Sequence, residues 1–191
     1  HGSIWETQVY AVGGNHLTND IAVGLRAPMA TAEDIKIRYA TALPETVDAR
    51  EMIEVTTFGD EALSTISRRQ LAQIVACRTE EMFELIAKEI QRSGFEGLLP
   101  AGVVVTGGTA GLSDLKELAA DTLQLPVRVG MPRRLRGLVE TISSPAYATS
   151  VGLLLWGARE ELRQSASPIP GGSRAWYTSL LEWLKVFIPR G

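Results

Sequence analysis

The stretch Val103-Val104-Val105-Thr106-Gly107-Gly108-Thr109-Ala110-Gly111-Leu112-Ser113-Asp114-Leu115 decides the fold class, because a β-branched run meets a glycine pair and then opens an amphipathic helix. Three successive valines fit a strand buried on both faces, as in a parallel sheet covered by helices. The glycines permit positive φ and close approach of backbone to a ligand. Ser113, ahead of Leu115-Lys116-Glu117-Leu118, is the expected N-cap, and amides exposed at a helix start favour anions. This grammar serves equally a phosphate- or nucleoside-binding turn and a turn needed only for tight packing. With helix Asp114–Leu123 and strand Val127–Val129 the stretch makes a βαβ-like unit, which places the chain in the α/β class.

The 191 residues, 45% hydrophobic, suffice for one domain or two small ones. A net charge of -3 and the absence of a long Lys/Arg cluster argue against nucleic acid as a partner. Cys77, the single cysteine, excludes an intrachain disulfide and reads as a small apolar residue within a helical pattern. No apolar run approaches the roughly 20 residues of a membrane span, and no charged-then-apolar leader opens the chain, so a cytoplasmic location is expected.

Outward from the valine run, Ile4 to Val12 reads as a strand leading into Gly13-Gly14-Asn15-His16. Residue 1 is His rather than Met, so a neighbour for that strand is expected upstream. Leu17–Leu25 reads as a helix closed by Arg26-Ala27-Pro28. A second helix is expected to begin at Thr31-Ala32-Glu33-Asp34, with an acidic first turn. Met52–Phe58 reads as a strand, and the long pattern Ser64–Arg92 as one helix ended by Ser93-Gly94. Arg133-Arg134-Leu135-Arg136 is a short basic loop. Helix Ala146–Leu162 carries Gly152 and Gly157, small residues that allow close packing.

Residues 164–173 shift to Ser, Pro and Gly, the composition of a flexible linker. Beyond them Trp176, Leu180, Trp183, Leu184, Phe187 and Ile188 fall, with Tyr177 and Leu181, in one helical arc of roughly 160°. A short terminal helix with two tryptophans fits an interfacial membrane anchor, and it also fits a helix docked on the chain's own core.

The glycine pairs Gly13-Gly14 and Gly107-Gly108 each follow a β-rich run, with Glu33 and Lys36 on a helical segment between them, an arrangement suited to a nucleotide held between two turns. No Gly-x-x-x-x-Gly-Lys-Ser/Thr loop, zinc-type His pair or Gly-x-Ser-x-Gly elbow accompanies them, so no catalytic residues are assigned. Glu33 and Asp34 are adjacent, which suits a solvated helix turn better than a metal site. His16 is expected to satisfy a local backbone contact.

Gly13-Gly14-Asn15-His16-Leu17-Thr18-Asn19-Asp20-Ile21-Ala22, Ala32-Glu33-Asp34-Ile35-Lys36-Ile37-Arg38-Tyr39, Gly102-Val103-Val104-Val105-Thr106-Gly107-Gly108 and Pro145-Ala146-Tyr147-Ala148-Thr149-Ser150-Val151-Gly152-Leu153-Leu154 resemble, in order and spacing, the bacterial cell-division FtsA family of the actin, sugar-kinase and chaperone ATPase superfamily. The resemblance implies an actin-like (ribonuclease H-like) α/β fold, of which this chain holds the C-terminal half. Residues 1–28 and 97–142 would form subdomain IIA, 29–96 subdomain IIB, and 143–163 a helix returning to subdomain IA. The linker 164–173 and membrane-targeting helix 174–191 would separate it from the related PilM pilus-assembly scaffold. It further implies ATP with Mg2+ as cofactor, in a site incomplete in this chain. Gly13 and Gly14 would floor the ribose, Glu33 and Lys36 would flank the adenosine, and Gly107, Gly108 and Thr109 would line the base and phosphates. With the family's phosphate loops and water-activating groups expected upstream, the chain alone should not hydrolyse ATP. Implied partners are a second copy in an actin-like filament, the membrane surface on the cytoplasmic side of the division septum, other division proteins and the C-terminal peptide of tubulin-like FtsZ. Arg68, Arg69, Lys88 and Arg92 are candidates for that acidic peptide. A PilM-like scaffold and another actin-superfamily ATPase or sugar kinase are the alternatives.

Overall fold

A computed structural model describes residues 4–58, 63–133 and 142–166. The chain divides into two compact units, His1–Val151 and Gly152–Gly191. In the first unit the elements run α1 (Gly14–Leu25), α2 (Met29–Tyr39), β1 (Met52–Thr56), β2 (Leu63–Ser67), α3 (Arg68–Ser93), β3 (Val103–Val105), α4 (Leu115–Leu123) and β4 (Val127–Val129). Helix α5 (Ala148–Ala166) starts in the first unit and continues into the second.

Two small sheets organise the first unit. β1 and β2 are antiparallel, with Ile53 opposite Ile66 and Val55 opposite Ser64. β3 and β4 are parallel, Val103 to Val127 and Val105 to Val129, with α4 as the crossover. Helix α3 joins them. At 26 residues it is about 39 Å long, and its two halves serve different cores. Leu71 and Val75 pack with Leu17, Ile21, Ile35 and Val55. Phe83 packs with Leu115, Leu118, Ala119 and Val127. Leu17, Ile21, Leu71 and Val75 are all at most 1% exposed, and each such side chain contributes roughly 1.5–3 kcal/mol by leaving water.

Helix ends follow local chemistry. α1 stops where Arg26 turns left-handed (φ 50°) and its amide, with that of Ala27, closes on the last carbonyls. Pro28 then caps α2, which therefore begins at Met29 rather than at Thr31, moving Glu33 beyond the first turn. α3 ends on left-handed Gly94 (φ 73°), as its sequence implies.

Other expectations are corrected. Ile4–Val12 forms no strand: Ile4, Trp5 and Val9 are over 80% exposed, and no described strand lies alongside to take its backbone hydrogen bonds. The segment is held instead by a Tyr10 hydroxyl donated to Glu89 at 2.6 Å and an edge-to-face contact of Trp5 with Phe95. The helix expected from Ser64 starts at Arg68, because 63–67 pairs with β1, a strand that ends at Thr56 rather than Phe58. The valine strand is not buried on both faces; Val104 is 47% exposed, since the two-stranded sheet has no cover there among the described residues. Cys77 is exposed on α3, not packed. α4 begins at Leu115, one residue late, with Asp114 rather than Ser113 at the N-cap position in a left-handed conformation (φ 59°). Residues 145–147 form a 3-10 turn ahead of α5, capped by Ser144, and α5 runs to Ala166, into the expected linker. Around Gly152 and Gly157 an added Cβ would meet nothing within 4 Å among the described residues. Residues 134–136 of the basic loop 133–136, the rest of the linker and the helix expected at 174–191 lie outside the described residues.

Candidate functional site

Three segments distant in sequence converge on a cleft of about 740 Å³: residues 11–17 at the start of α1, Glu33 to Ala40 on α2, and 108–113 following β3. Gly13, Gly14, Glu33, Lys36, Gly108 and Thr109, singled out in the sequence, all line it; Gly107 does not.

The start of α1 is built by its own backbone and one imidazole. The His16 amide donates to the Gly13 carbonyl at 2.9 Å, and the Gly13 amide donates to His16 Nδ1 at 3.3 Å. His16 thus acts as a local cap, the backbone contact expected of it. At Gly14 α1 abuts the opposing turn: a Cβ there would lie 2.7 Å from Thr109 Oγ1 and 3.8 Å from Lys36 Nζ. A Cβ at Gly108 or Gly13 would meet nothing within 4 Å.

Lys36 reaches from the second turn of α2 to the first turn of α1. Its ammonium donates to Glu33 Oε2 at 2.6 Å, Thr18 Oγ1 at 2.8 Å and the Gly14 carbonyl at 3.2 Å, which uses all three of its protons. The Thr18 hydroxyl in turn donates to Glu33 Oε2 at 2.5 Å. The Lys36 hydrogen bond, reinforced by that from Thr18, holds the Glu33 carboxyl below its usual range against the opposing effect of desolvation. Glu33 and Lys36 are therefore a neutralised pair fixed on the cleft wall. Asp34 faces elsewhere and pairs with Arg38 at 2.9 Å.

The turn after β3 is pinned from behind. Gly107 takes φ 100°, and its amide donates to the Pro145 carbonyl at 3.0 Å. The Thr106 hydroxyl lies 3.0 Å from the Gly130 carbonyl and 3.3 Å from that of Pro145. Asp114 secures the other end, accepting from Thr41 at 2.5 Å and Thr46 at 2.9 Å, while the Ala42 amide donates to the Ser113 carbonyl. Sequence reasoning missed Thr18, Thr41 and Asp114; a threonine one helical turn after Gly14 was the available signal for the first. It also passed over Gly102, whose φ of 72° and close approach to the Pro126 carbonyl, 2.0 Å from a notional Cβ, admit no side chain.

The four cations proposed for a peptide are each engaged within the chain. Arg68 is paired with Glu51 at 2.8 Å and donates to the Tyr39 carbonyl, and Arg69 donates to the Val47 carbonyl, so both tie α3 to the loop before β1. Lys88 pairs with Glu84 and Arg92 with Glu89 on the solvent face.

Residues 1–152 match the family model "Cell division protein FtsA". The chain belongs to the FtsA family of cell-division proteins. It is 42% identical over 172 residues to the FtsA of Pseudomonas aeruginosa, covering 90% of this chain and 41% of that protein. It is 31% identical to the FtsA of Escherichia coli K12, covering 96% and 46%. The chain thus spans less than half the length of these FtsA relatives. Among solved structures it resembles MreB5 of Spiroplasma citri bound to ADP, with a TM-score of 0.62 over 83% of this chain and 48% of that one, and the same protein bound to AMPPNP, also at 0.62. At 16% identity those likenesses establish the fold, which is actin-like. Membership in the FtsA family does not favour the PilM-like or sugar-kinase alternatives.

Proposed function

We propose that this cleft is the adenosine side of an ATP site, and that the chain serves a nucleotide-dependent, actin-like cell-division adaptor. The observation that carries the reading is the Lys36–Glu33–Thr18 network fixed over Gly14 where α1 abuts Thr109. The residues fit a nucleoside. Gly13 and Gly108 leave open space where side chains would intrude, a neutral ion pair lines one wall, and the start of a 12-residue helix offers amides to an anion. The ADP- and AMPPNP-bound MreB5 structures share the fold and support the same reading. Bound ATP would supply free energy for switching assembly states. Here Gly13 and Gly14 floor the ribose, Glu33 and Lys36 flank the adenosine, and Gly108 and Thr109 border base and phosphates, with Gly107 shaping their turn from behind. Mg2+ would come with the phosphates.

On this proposal residues 1–28 and 97–142 act as subdomain IIA and 29–96 as IIB, and the protein self-assembles as a filament. It tethers the FtsZ ring to the inner face of the cytoplasmic membrane at the septum through an apolar terminal helix bearing Trp176, Leu180, Trp183, Leu184, Phe187 and Ile188. Among the described residues no helix is long and apolar enough to cross a membrane, which is compatible with such peripheral attachment. For the FtsZ peptide, Lys88 and Arg92 are the more accessible of the four cations, with side chains 70% and 65% exposed.

Titration of the full-length protein carrying this chain with a fluorescent ATP analogue tests the site. Gly108→Asp is expected to weaken binding at least ten-fold by placing a carboxylate in the cleft; equal affinity refutes the assignment. Liposome co-sedimentation tests the tether: Trp183→Glu with Phe187→Glu should release the protein, and undiminished binding refutes the anchor.

A further inference from the structure

Thr18 is 3% exposed, and among the described residues its hydroxyl is the one neutral side-chain group bonded to both members of the ion pair. It lies one helical turn after Gly14, so it shares a face of α1 with the cleft floor. Its single proton faces two acceptors, the charged Glu33 oxygen at 2.5 Å and the Gly14 carbonyl at 3.1 Å, of which the carboxylate is the shorter and stronger, while its lone pair takes a Lys36 proton at 2.8 Å. Without that hydroxyl, Glu33 would lack one of two donors and Lys36 one of three acceptors, the latter on a side chain only 15% exposed, where water is a poor substitute. Lys36 would then be held by Glu33 and the Gly14 carbonyl alone, and both long, rotamer-rich side chains would gain freedom at the wall.

We propose that Thr18 is a positioning residue for the nucleoside: its hydroxyl locks the Lys36 ammonium and the Glu33 carboxylate into one arrangement, so that the adenosine wall is preformed before ligand arrives. Thr18 acts through Lys36 and Glu33 and does not itself touch the nucleotide. This rests on the assignment of the cleft to ATP. Preorganisation gains affinity by removing the ordering cost from the binding step, so loss of the hydroxyl weakens binding even though every ligand-contacting group remains.

The test uses the full-length protein, a fluorescent ATP analogue and five variants, Gly108→Asp among them, with thermal unfolding run in parallel to confirm folding. Thr18→Val keeps the shape and removes the hydroxyl; an affinity loss of about ten-fold or more is expected, the order that one hydrogen bond to a charged group is worth. Thr18→Ser keeps the hydroxyl and should bind within about two-fold of the parent. Lys36→Met should weaken binding directly, and adding Thr18→Val to it should cost less than a further two-fold, because the threonine acts through the lysine. Full additivity of the two, or a serine variant as weak as the valine one, would overturn the positioning role. So would unchanged affinity in Thr18→Val while Lys36→Met loses it. If Lys36→Met and Gly108→Asp both bind as the parent, the assignment of the cleft itself is what fails.

Discussion

Gly14→Ala isolates a close approach in the cleft. Gly14 is the first residue of α1, and alanine is the better helix former by about 0.5–1 kcal/mol, so on propensity alone the change is stabilising. Geometry opposes it: the new Cβ lies 2.7 Å from Thr109 Oγ1, on a short, β-branched side chain with few alternative rotamers. Relief of such overpacking costs about 1–3 kcal/mol, so the net expected effect is a loss of about 0 to 2.5 kcal/mol, the difference of those two ranges. Thr109→Ala removes the obstructing oxygen. In that background the same Gly14→Ala change should become stabilising by up to about 1 kcal/mol. Urea unfolding of the four members of this cycle, followed by far-UV circular dichroism, measures the sign. An effect of equal size and sign in both backgrounds would refute the argument that Thr109 is what requires glycine at position 14.

Leu71→Ala, at a site 0% exposed where α3 meets α1 and β1, should lower stability by about 2–5 kcal/mol, read as a shift in the urea midpoint. Glu33 has its pKa depressed in the fold, so it contributes stability that is present above its ordinary value of 4.5 and lost as pH falls through the lower folded value. Glu33→Gln should accordingly flatten the stability profile below about pH 4.5, and a profile identical to that of the parent in acid would contradict the pairing. Asp114→Gly relieves the left-handed backbone yet loses the acceptor shared by Thr41 and Thr46, so it should be less stable than Asp114→Asn, which tolerates that conformation and keeps an acceptor. Differential scanning calorimetry of the pair reads the order.

How much the chain declares in advance depends on whether a signal is local. The βαβ unit was legible, and strands 103–105 and 127–129 fall where the valine runs place them, because hydrophobic run, glycine turn and helix face are all encoded within a few residues. The α1 stop and the Gly94 cap were legible for the same reason. Strand β2 was not, since Leu63-Ser64-Thr65-Ile66-Ser67 is too short to outweigh the helical pattern it adjoins, and only pairing with β1 reveals it. Residues 4–12 show the converse: their composition suits a strand, but a strand exists only beside another. In the cleft, Glu33 and Lys36 were visible as a spaced pair on one helix, whereas Thr18 enters only through a contact across 18 residues of sequence.

The glycines, which the sequence presents as two equivalent pairs, divide on physical grounds into different kinds. Gly107 is needed for its positive φ, Gly14 for the want of space against Thr109, and Gly108 for the space it leaves open. On the proposed reading Gly108 bears on a ligand directly, and Gly14 does so by setting how closely α1 meets the turn beside it. Lys36 sharpens the point. With all three ammonium protons spent on Gly14, Thr18 and Glu33, and its charge balanced by the carboxylate at 2.6 Å, it does not offer a free cation to a phosphate. A wall of this kind discriminates by shape and by hydrogen bonding to neutral groups, which is what a nucleoside presents. The anionic part of a nucleotide would depend on the α1 amides, on Arg38, which also lines the cleft, and on charge supplied beyond the span of this chain, which covers 41–46% of its P. aeruginosa and E. coli relatives. Lys36→Met should therefore weaken adenosine and ATP by similar factors. A loss confined to ATP would mean that Lys36 abandons its internal partners for the phosphates when the nucleotide binds.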